Sequence, residues 1–482
     1  MIGIGLSPFK RRPPAGGYSA EALALFARAT VLGSSFPDAD KPYVDAAITY
    51  LKSTGQWDLL DCIPKFDVHS KTAALIDWKD PSRSFTIVND YAGSFTPYQG
   101  FTPNSTNFRI AFGVNFGDGG TYNYTRNSAL IGFYINTHDS FGSKTDMSAS
   151  TVANNDIAMV LQNNVTPKKI LPVINSGSHS FVKLIVQSYG WHFAQRTGSA
   201  SFTSLKNGQD PWSTFSGTTA STAVVNLPIT LFARAINNTT FSAYSGRAMK
   251  GCVFGSGAAD PQYITNGLNI YSLGVNSVPK SCLIVAGNSF SANGDMLNSF
   301  YGNYSASNAI ADFTRATPGI ETTDMITDFP NTLAKIRVTG YTKKCFWIQE
   351  LTNDMAYNGS DVDYCYDNIV TMVGLGKAAF GNDCTVFVST CLPRGGTSPI
   401  VEVNRENPLD ANDVTTINGK LRVNAASLGI VLIDWGSDPI MGVANAYTNP
   451  TYYNTADEIH PTTTGYTYLD TNYNYPIISP YL

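Results

Sequence analysis

The chain is short of charge, short of histidine and free of long apolar runs, and each shortage removes a class of function. No stretch of 18 or more apolar residues occurs, so no membrane-spanning helix and no membrane insertion are expected. The opening residues MIGIGLSPFKRR lack the apolar core and small-residue cleavage site of a signal peptide. Charged side chains make up 14% of the chain, with a net charge of −4. Average soluble domains carry roughly 25%. The one basic block, Lys10-Arg11-Arg12, reads as a solvated contact. A nucleic-acid surface needs a concentrated basic face, and none is present. Cysteine gives neither a metal site nor a disulfide framework: Cys62, Cys252, Cys282, Cys345, Cys365, Cys384 and Cys391 are odd in number, scattered, and never spaced Cys-x-x-Cys. Cys282 and Cys345 lie in apolar runs and read as buried thiols, as in a chain made in a reducing cytoplasm.

Polarity is carried instead by Asn, Thr, Ser, Gly and Tyr, and 482 residues call for two sizeable domains. Residues 1–18 hold Pro13, Pro14, Gly16 and Gly17 and read as an extended arm. Residues 19–62 read as a helical entry. One helix follows the cap Ser19, and a second starts near Pro42 with Val44, Ala47, Ile48 and Leu51 on one face and a stop at Gly55. From 63 to 275 short β-favouring runs alternate with turns: Ser84–Val88, Phe108–Phe112, Ala129–Ile135 and Ser180–Val186, with Asn207-Gly208 as a hairpin-type turn. This pattern predicts a β-sandwich. From 276 to 482 apolar runs (Cys282–Ala286, Cys345–Ile348, Thr385–Val388, Ile430–Ile433) alternate with helical stretches, one spanning Asp410–Leu428. Strands alternating with helices predict a parallel sheet in an α/β domain, with chemistry beyond the carboxyl ends of its strands.

Four short stretches of this last region carry chemistry. Ala286-Gly287-Asn288-Ser289-Phe290-Ser291 follows its first strand and places a serine on a strand-to-helix turn, as acyl transfer requires. Asp457-Glu458-Ile459-His460-Pro461 sets a carboxylate and an imidazole three positions apart, so that one turn can aim both the same way. His460 is the only histidine after His192, so a histidine base in this domain can only be His460. Leu351-Thr352-Asn353-Asp354 ends another strand with an amide able to donate to an oxyanion, and Gly319 of Pro318-Gly319-Ile320 offers a backbone N–H. Taken singly, each reads better as a turn, a loop or a solvated surface residue.

In their order along the chain the stretches resemble the four blocks of the SGNH (GDSL-like) hydrolases: a Gly-Asp-Ser block, a lone Gly, a Gly-x-Asn-Asp block and an Asp-x-x-His block. The resemblance spans about Lys280 to Leu482. It implies a three-layer domain with a flavodoxin-like parallel sheet and a serine esterase needing no metal or organic cofactor. Ser289 would be nucleophile, Asp457 and His460 would complete the triad, and the Ser289 N–H, the Gly319 N–H and the Asn353 amide would form the oxyanion hole. Asn288 and Leu351 depart from the pattern, standing where those blocks have Asp and Gly.

The first half resembles a module of tailed-phage tail proteins, a concanavalin/laminin-G-type jelly roll flanked by helices. The likeness lies in Gly55-Gln56-Trp57-Asp58-Leu59-Leu60-Asp61, in Thr125–Gly132 and in Ala194–Ser199 leading to Asn207-Gly208. Together the two resemblances imply a tail fibre or tailspike-like esterase in the virion tail, made in the host cytoplasm. It would remove O-acetyl or similar acyl groups from a bacterial surface polysaccharide, capsule or lipopolysaccharide. Other tail proteins and a homotrimer would be its partners, though no coiled-coil pattern enforces a trimer. Two other readings stand beside it: a lipase or thioesterase acting on acyl chains, and a non-catalytic receptor-binding virion protein with a degenerate hydrolase domain. Trp78, Trp191 and Trp212 suit sugar stacking but suit core packing better. His138-Asp139, His179 and His192 read as structural, and Asp118-Gly119-Gly120 and Asn237-Asn238 as turns rather than calcium sites.

Overall fold

The computed structural model describes residues 17–104, 106–117, 121–135, 144–150, 156–162, 169–176, 182–183, 190–207, 220–221, 224, 226–237, 239–242, 244–292, 300, 310–349, 351–359, 361–396 and 398–482. Along them the chain separates into two compact units, with the division between Val278 and Pro279.

The first unit opens with two helices. Ala20–Val31 is capped by the Ser19 hydroxyl, which accepts from the Ala22 N–H, and Lys41–Ser53 carries Pro42 in its first turn and buries Val44, Ala47, Ile48 and Leu51. Gly55 then takes a left-handed φ of +72°, which an L side chain resists. Two mainly antiparallel sheets follow. One orders its strands as Phe202–Lys206, Gly190–Arg196, Ala129–Ile135, Met249–Gly255, Gly100–Phe101 and Phe95–Thr96, with Leu60–Cys62 also paired on Met249–Gly255. The other contains Val182–Lys183, Lys169–Ser176, Asp156–Gln162, Lys144–Ser150, Thr230–Leu231, Arg109–Ala111 and Thr86–Val88, in that order. Phe112 and Phe116 from one side meet Phe254 from the other at 5.6 Å, and the Arg196 Nε donates to the Ile174 carbonyl across the sheets.

The Gly190–Arg196 and Phe202–Lys206 hairpin turns at 197–201, where the Thr197 N–H donates to the Ser201 carbonyl; of the expected Asn207-Gly208 turn, Asn207 has a left-handed φ of +51° and Gly208 lies outside the described residues. Asn207 follows the second strand, and its side-chain oxygen accepts from the Trp191 N–H at 2.8 Å. Trp78, Trp191 and His192 are buried. Trp212, His138, His179, Asp118-Gly119-Gly120 and Asn238 lie outside the described residues.

The second unit is built on five parallel strands: β1 (Ser281–Gly287), β2 (Ala311–Ala316), β3 (Lys343–Gln349), β4 (Thr385–Ser389) and β5 (Val431–Ile433). Their order is β2-β1-β3-β4-β5, that of flavodoxin-type doubly wound sheets. The central strands read as continuous apolar runs because helices cover both faces. On one face Leu283, Val285, Trp347, Phe387 and Ile433 pack with Trp435, Tyr453, Tyr466, Leu469 and Ile478 from the C-terminal stretch. On the other, the helix Val362–Phe380 brings Phe380 to within 5.3 Å of the Phe346 ring. The strand order reverses between β1 and β3, so the crevice of this sheet opens above Gly287 and Gln349, which are register partners. All seven cysteines are buried and unpaired with one another.

Candidate active site

Immediately after β1 the chain turns into a short helix, α1 (Ser289–Ala292). Two features make that turn tight. Asn288 is fully buried and its side-chain oxygen accepts from the Phe290 N–H at 2.9 Å. A Cβ on Gly287 would lie 2.6 Å from the Ser291 hydroxyl, which itself donates to the Gln349 side-chain oxygen at 2.6 Å. Glycine is therefore required where helix and sheet approach. The turn leaves Ser289 only 8% exposed.

The Asp457–His460 turn meets this serine from the far end of the sequence. The His460 Nε2 lies 2.8 Å from the Ser289 Oγ, and the His460 Nδ1 lies 3.0 Å from an Asp457 carboxylate oxygen. With Asp457 ionised, Nδ1 carries the hydrogen and Nε2 is left to accept one from the serine. Burial alone would raise the Asp457 carboxyl, but the His460 and Ile459 backbone N–H groups and the His460 ring outweigh it and hold it below the usual carboxylate range. The Asn454 amide adds a fourth hydrogen bond at 2.9 Å. Phe290 backs the imidazole, its ring 5.9 Å from that of His460.

The turn depends on a residue that sequence reasoning passed over. Glu458 has φ +55°, a left-handed conformation that costs a non-glycine residue and persists only where its surroundings enforce it. Three contacts do so. The Glu458 N–H donates to the Asn454 carbonyl at 2.8 Å, its carbonyl accepts from the Gly395 N–H at 3.0 Å, and its carboxylate accepts from the Gly396 N–H at 2.9 Å.

Asn353 follows β3 and Gly319 follows β2 along the chain. Leu351 sits at φ −155°, so nothing in the backbone calls for glycine there. Asn353 is buried in α2 (Thr352–Tyr357). Its amide nitrogen donates to the Ile320 carbonyl at 3.0 Å, and its oxygen accepts from Arg394 at 2.9 Å. Asp354 accepts from both the N–H and the hydroxyl of Thr322. The Asn-Asp pair thus pins the loop containing Gly319, which is exposed with φ +75°. The structure joins Ser289, His460 and Asp457 in one hydrogen-bonded chain; Asn353 contacts the Gly319 loop and Arg394, with no direct bond to Ser289. Arg394 was also missed, although its place in Pro393-Arg394-Gly395-Gly396, past the end of a predicted strand, is where such sheets carry function.

No protein-family model matches the chain, and no curated protein does. Several solved structures are similar. A GDSL-like lipase from Bacteroides thetaiotaomicron is 20% identical over 42% of this chain and 87% of its own, with a TM-score of 0.30. Axe2, an acetylxylan esterase from Geobacillus stearothermophilus, is 14% identical over 40% and 92%, with a TM-score of 0.28. The protein YxiM of Bacillus subtilis is 12% identical over 83% and 88%, with a TM-score of 0.32. What the site can do chemically rests on its side chains.

Proposed function

We propose that the second unit is a serine ester hydrolase. The observation that carries this reading is the unbroken chain from Ser289 through His460 to Asp457 at 2.8 and 3.0 Å. In the first step the Ser289 Oγ bonds to the ester carbonyl carbon while its proton passes to the His460 Nε2. The carbonyl electrons move onto oxygen, where the Ser289 N–H and the Asn353 amide stabilise the charge. The tetrahedral adduct collapses, the bond to the leaving alkoxide breaks, and His460 returns its proton to that alkoxide. Water then repeats the sequence on the acyl-enzyme, giving the acid and free Ser289. Asp457 keeps its negative charge throughout and stabilises the imidazolium.

The substrate we propose is an O-acetylated bacterial surface polysaccharide, met by a phage tail fibre or tailspike whose first unit is a concanavalin/laminin-G-like module. Support for this finer reading is the charge-poor, Asn-, Thr- and Tyr-rich composition, together with the phage-tail resemblance of the first half.

Ser289→Ala should abolish hydrolysis of p-nitrophenyl acetate with the fold retained, a loss on the order of 10⁶ in kcat. A folded variant turning over at the wild-type rate would end the serine mechanism. Acetate release from purified capsule or lipopolysaccharide, set against long-chain acyl esters and acyl thioesters, tests the substrate class.

A further inference from the structure

Arg394 follows β4 and is only 4% exposed. Among the described residues no carboxylate pairs with it, and its Nε has no hydrogen-bond partner. Its NH1 donates to the neutral side-chain oxygen of Asn353 at 2.9 Å, and its guanidinium stands 5.3 Å from the centre of the Tyr357 ring. A buried charge lacking a counter-ion is costly, and an apolar side chain of similar volume would serve stability better. Such a group is retained for something other than stability.

We propose that Arg394 is a positioning residue for the oxyanion site, an inference that rests on reading the site as a serine ester hydrolase. An asparagine side chain presents two donors at one end and an acceptor at the other, and a flip exchanges them. An acceptor turned toward the oxyanion would repel the charge that develops there. Arg394 removes this ambiguity because it can only donate, so the Asn353 oxygen must face it and the nitrogen must face away. One amide hydrogen goes to the Ile320 carbonyl, which fixes the direction of the other. The next two residues, Gly395 and Gly396, hold Glu458. One short segment therefore orients the oxyanion donor on one side and the acid–base turn on the other.

The experiment uses the full chain and p-nitrophenyl acetate, with Arg394→Met, Arg394→Gln and Arg394→Lys. Met removes donor and charge, Gln keeps a donor, and Lys keeps both without the planar fork. The expected order of kcat is wild type, Lys, Gln, Met, with Met lower by about 10–100-fold and KM within about twofold. Since Arg394 acts through Asn353, the double variant Asn353→Ala/Arg394→Met should be no slower than Asn353→Ala alone. The affinity of a small boronic acid, which forms a tetrahedral adduct with serine, should fall in step with kcat. A folded Met variant with wild-type kcat, or losses that multiply in the double variant, would overturn the proposal. If the Met variant fails to fold, Gln and Lys decide, and wild-type kcat in both overturns it. Ser289→Ala run in parallel separates the two claims. An active Ser289→Ala removes the serine mechanism itself, whereas an inactive one beside fully active Arg394 variants removes only the role of Arg394.

Discussion

Gly396 donates its backbone N–H to the Glu458 carboxylate at 2.9 Å, across 62 positions of sequence, and that contact braces the turn between Asp457 and His460. Both ends of the contact are backbone positions in left-handed conformation, Gly396 at φ +71° and Glu458 at φ +55°. Only one of them is a glycine. The turn that aims the imidazole is thus held from outside by a segment of another strand's loop.

Replacing Gly396 tests this directly. A Cβ there would stand 2.5 Å from the Asp457 carbonyl oxygen, and the alanine would resist the positive φ as well. Gly396→Ala should push the Asp457–His460 turn away from Ser289 and lower kcat by about tenfold or more, since small misplacements of catalytic groups are costly. Steady-state kinetics with a circular-dichroism check decide the matter. Unchanged kcat would mean that the turn holds its shape without the brace.

Asp457→Asn keeps the shape of the side chain and removes its charge. With an amide beside the His460 Nδ1, the tautomer that leaves Nε2 free to accept the serine proton is no longer favoured. A fall of about 10⁴ in kcat is expected, with KM little changed. If kcat fell by less than about tenfold, Asp457 would be a structural partner of His460 and no more.

Much of this arrangement was legible in the sequence, for physical reasons that differ between its parts. Strands β1, β3 and β4 announce themselves because a sheet covered on both faces needs continuous apolar runs. Strand β2 escaped notice because it lies at the sheet edge, where Ala-Asp-Phe-Thr-Arg-Ala mixes polar and apolar residues and Thr314 donates to Asp312. The helix expected over Asp410–Leu428 begins only at Ile417. Asp413 draws the Thr415 N–H and hydroxyl to its carboxylate and the Thr416 N–H to its carbonyl, so the chain turns before it coils. Val414, in the part that does not coil, is 51% exposed. Ser289, Asp457 and His460 stand in short motifs whose local spacing states their geometry. Arg394 and Glu458 do not, because their contacts come from the order in which β3, β4 and the C-terminal turn meet above the sheet. No local pattern encodes that meeting.

A fragment from about Asn276 to Leu482 should fold alone and keep esterase activity on small esters. Ser289, Asn353, Arg394, Asp457 and His460 all fall within the unit that contains Pro279–Leu482, which has its own buried core. Its kcat on p-nitrophenyl acetate should match the full chain within about twofold. A soluble, cooperatively unfolding fragment without activity would mean that the site borrows residues from before Asn276.

The Asp457 carboxyl also links the site to the acid stability of its unit. Its folded-state pKa is held below the unfolded value by the His460 and Ile459 N–H groups and the His460 ring, against the opposing effect of burial. A carboxylate shifted in this direction stabilises the folded state while it is ionised, so its contribution is fully present above the unfolded value, about 3.9. As pH falls below that point the unfolded chain takes up the proton first, and the contribution shrinks. It is gone once pH has passed the lowered folded value. Asp457→Asn cannot titrate at this position. Its urea midpoint should therefore lie below that of the wild type at pH 6, and the gap should narrow as pH is lowered from about 5 to about 3. Both proteins carry every other carboxylate, so the difference between the two curves isolates this one. Parallel curves over that range would show that the Asp457 hydrogen bonds contribute nothing to folding, and that the turn is held by Gly395, Gly396 and Asn454 without it.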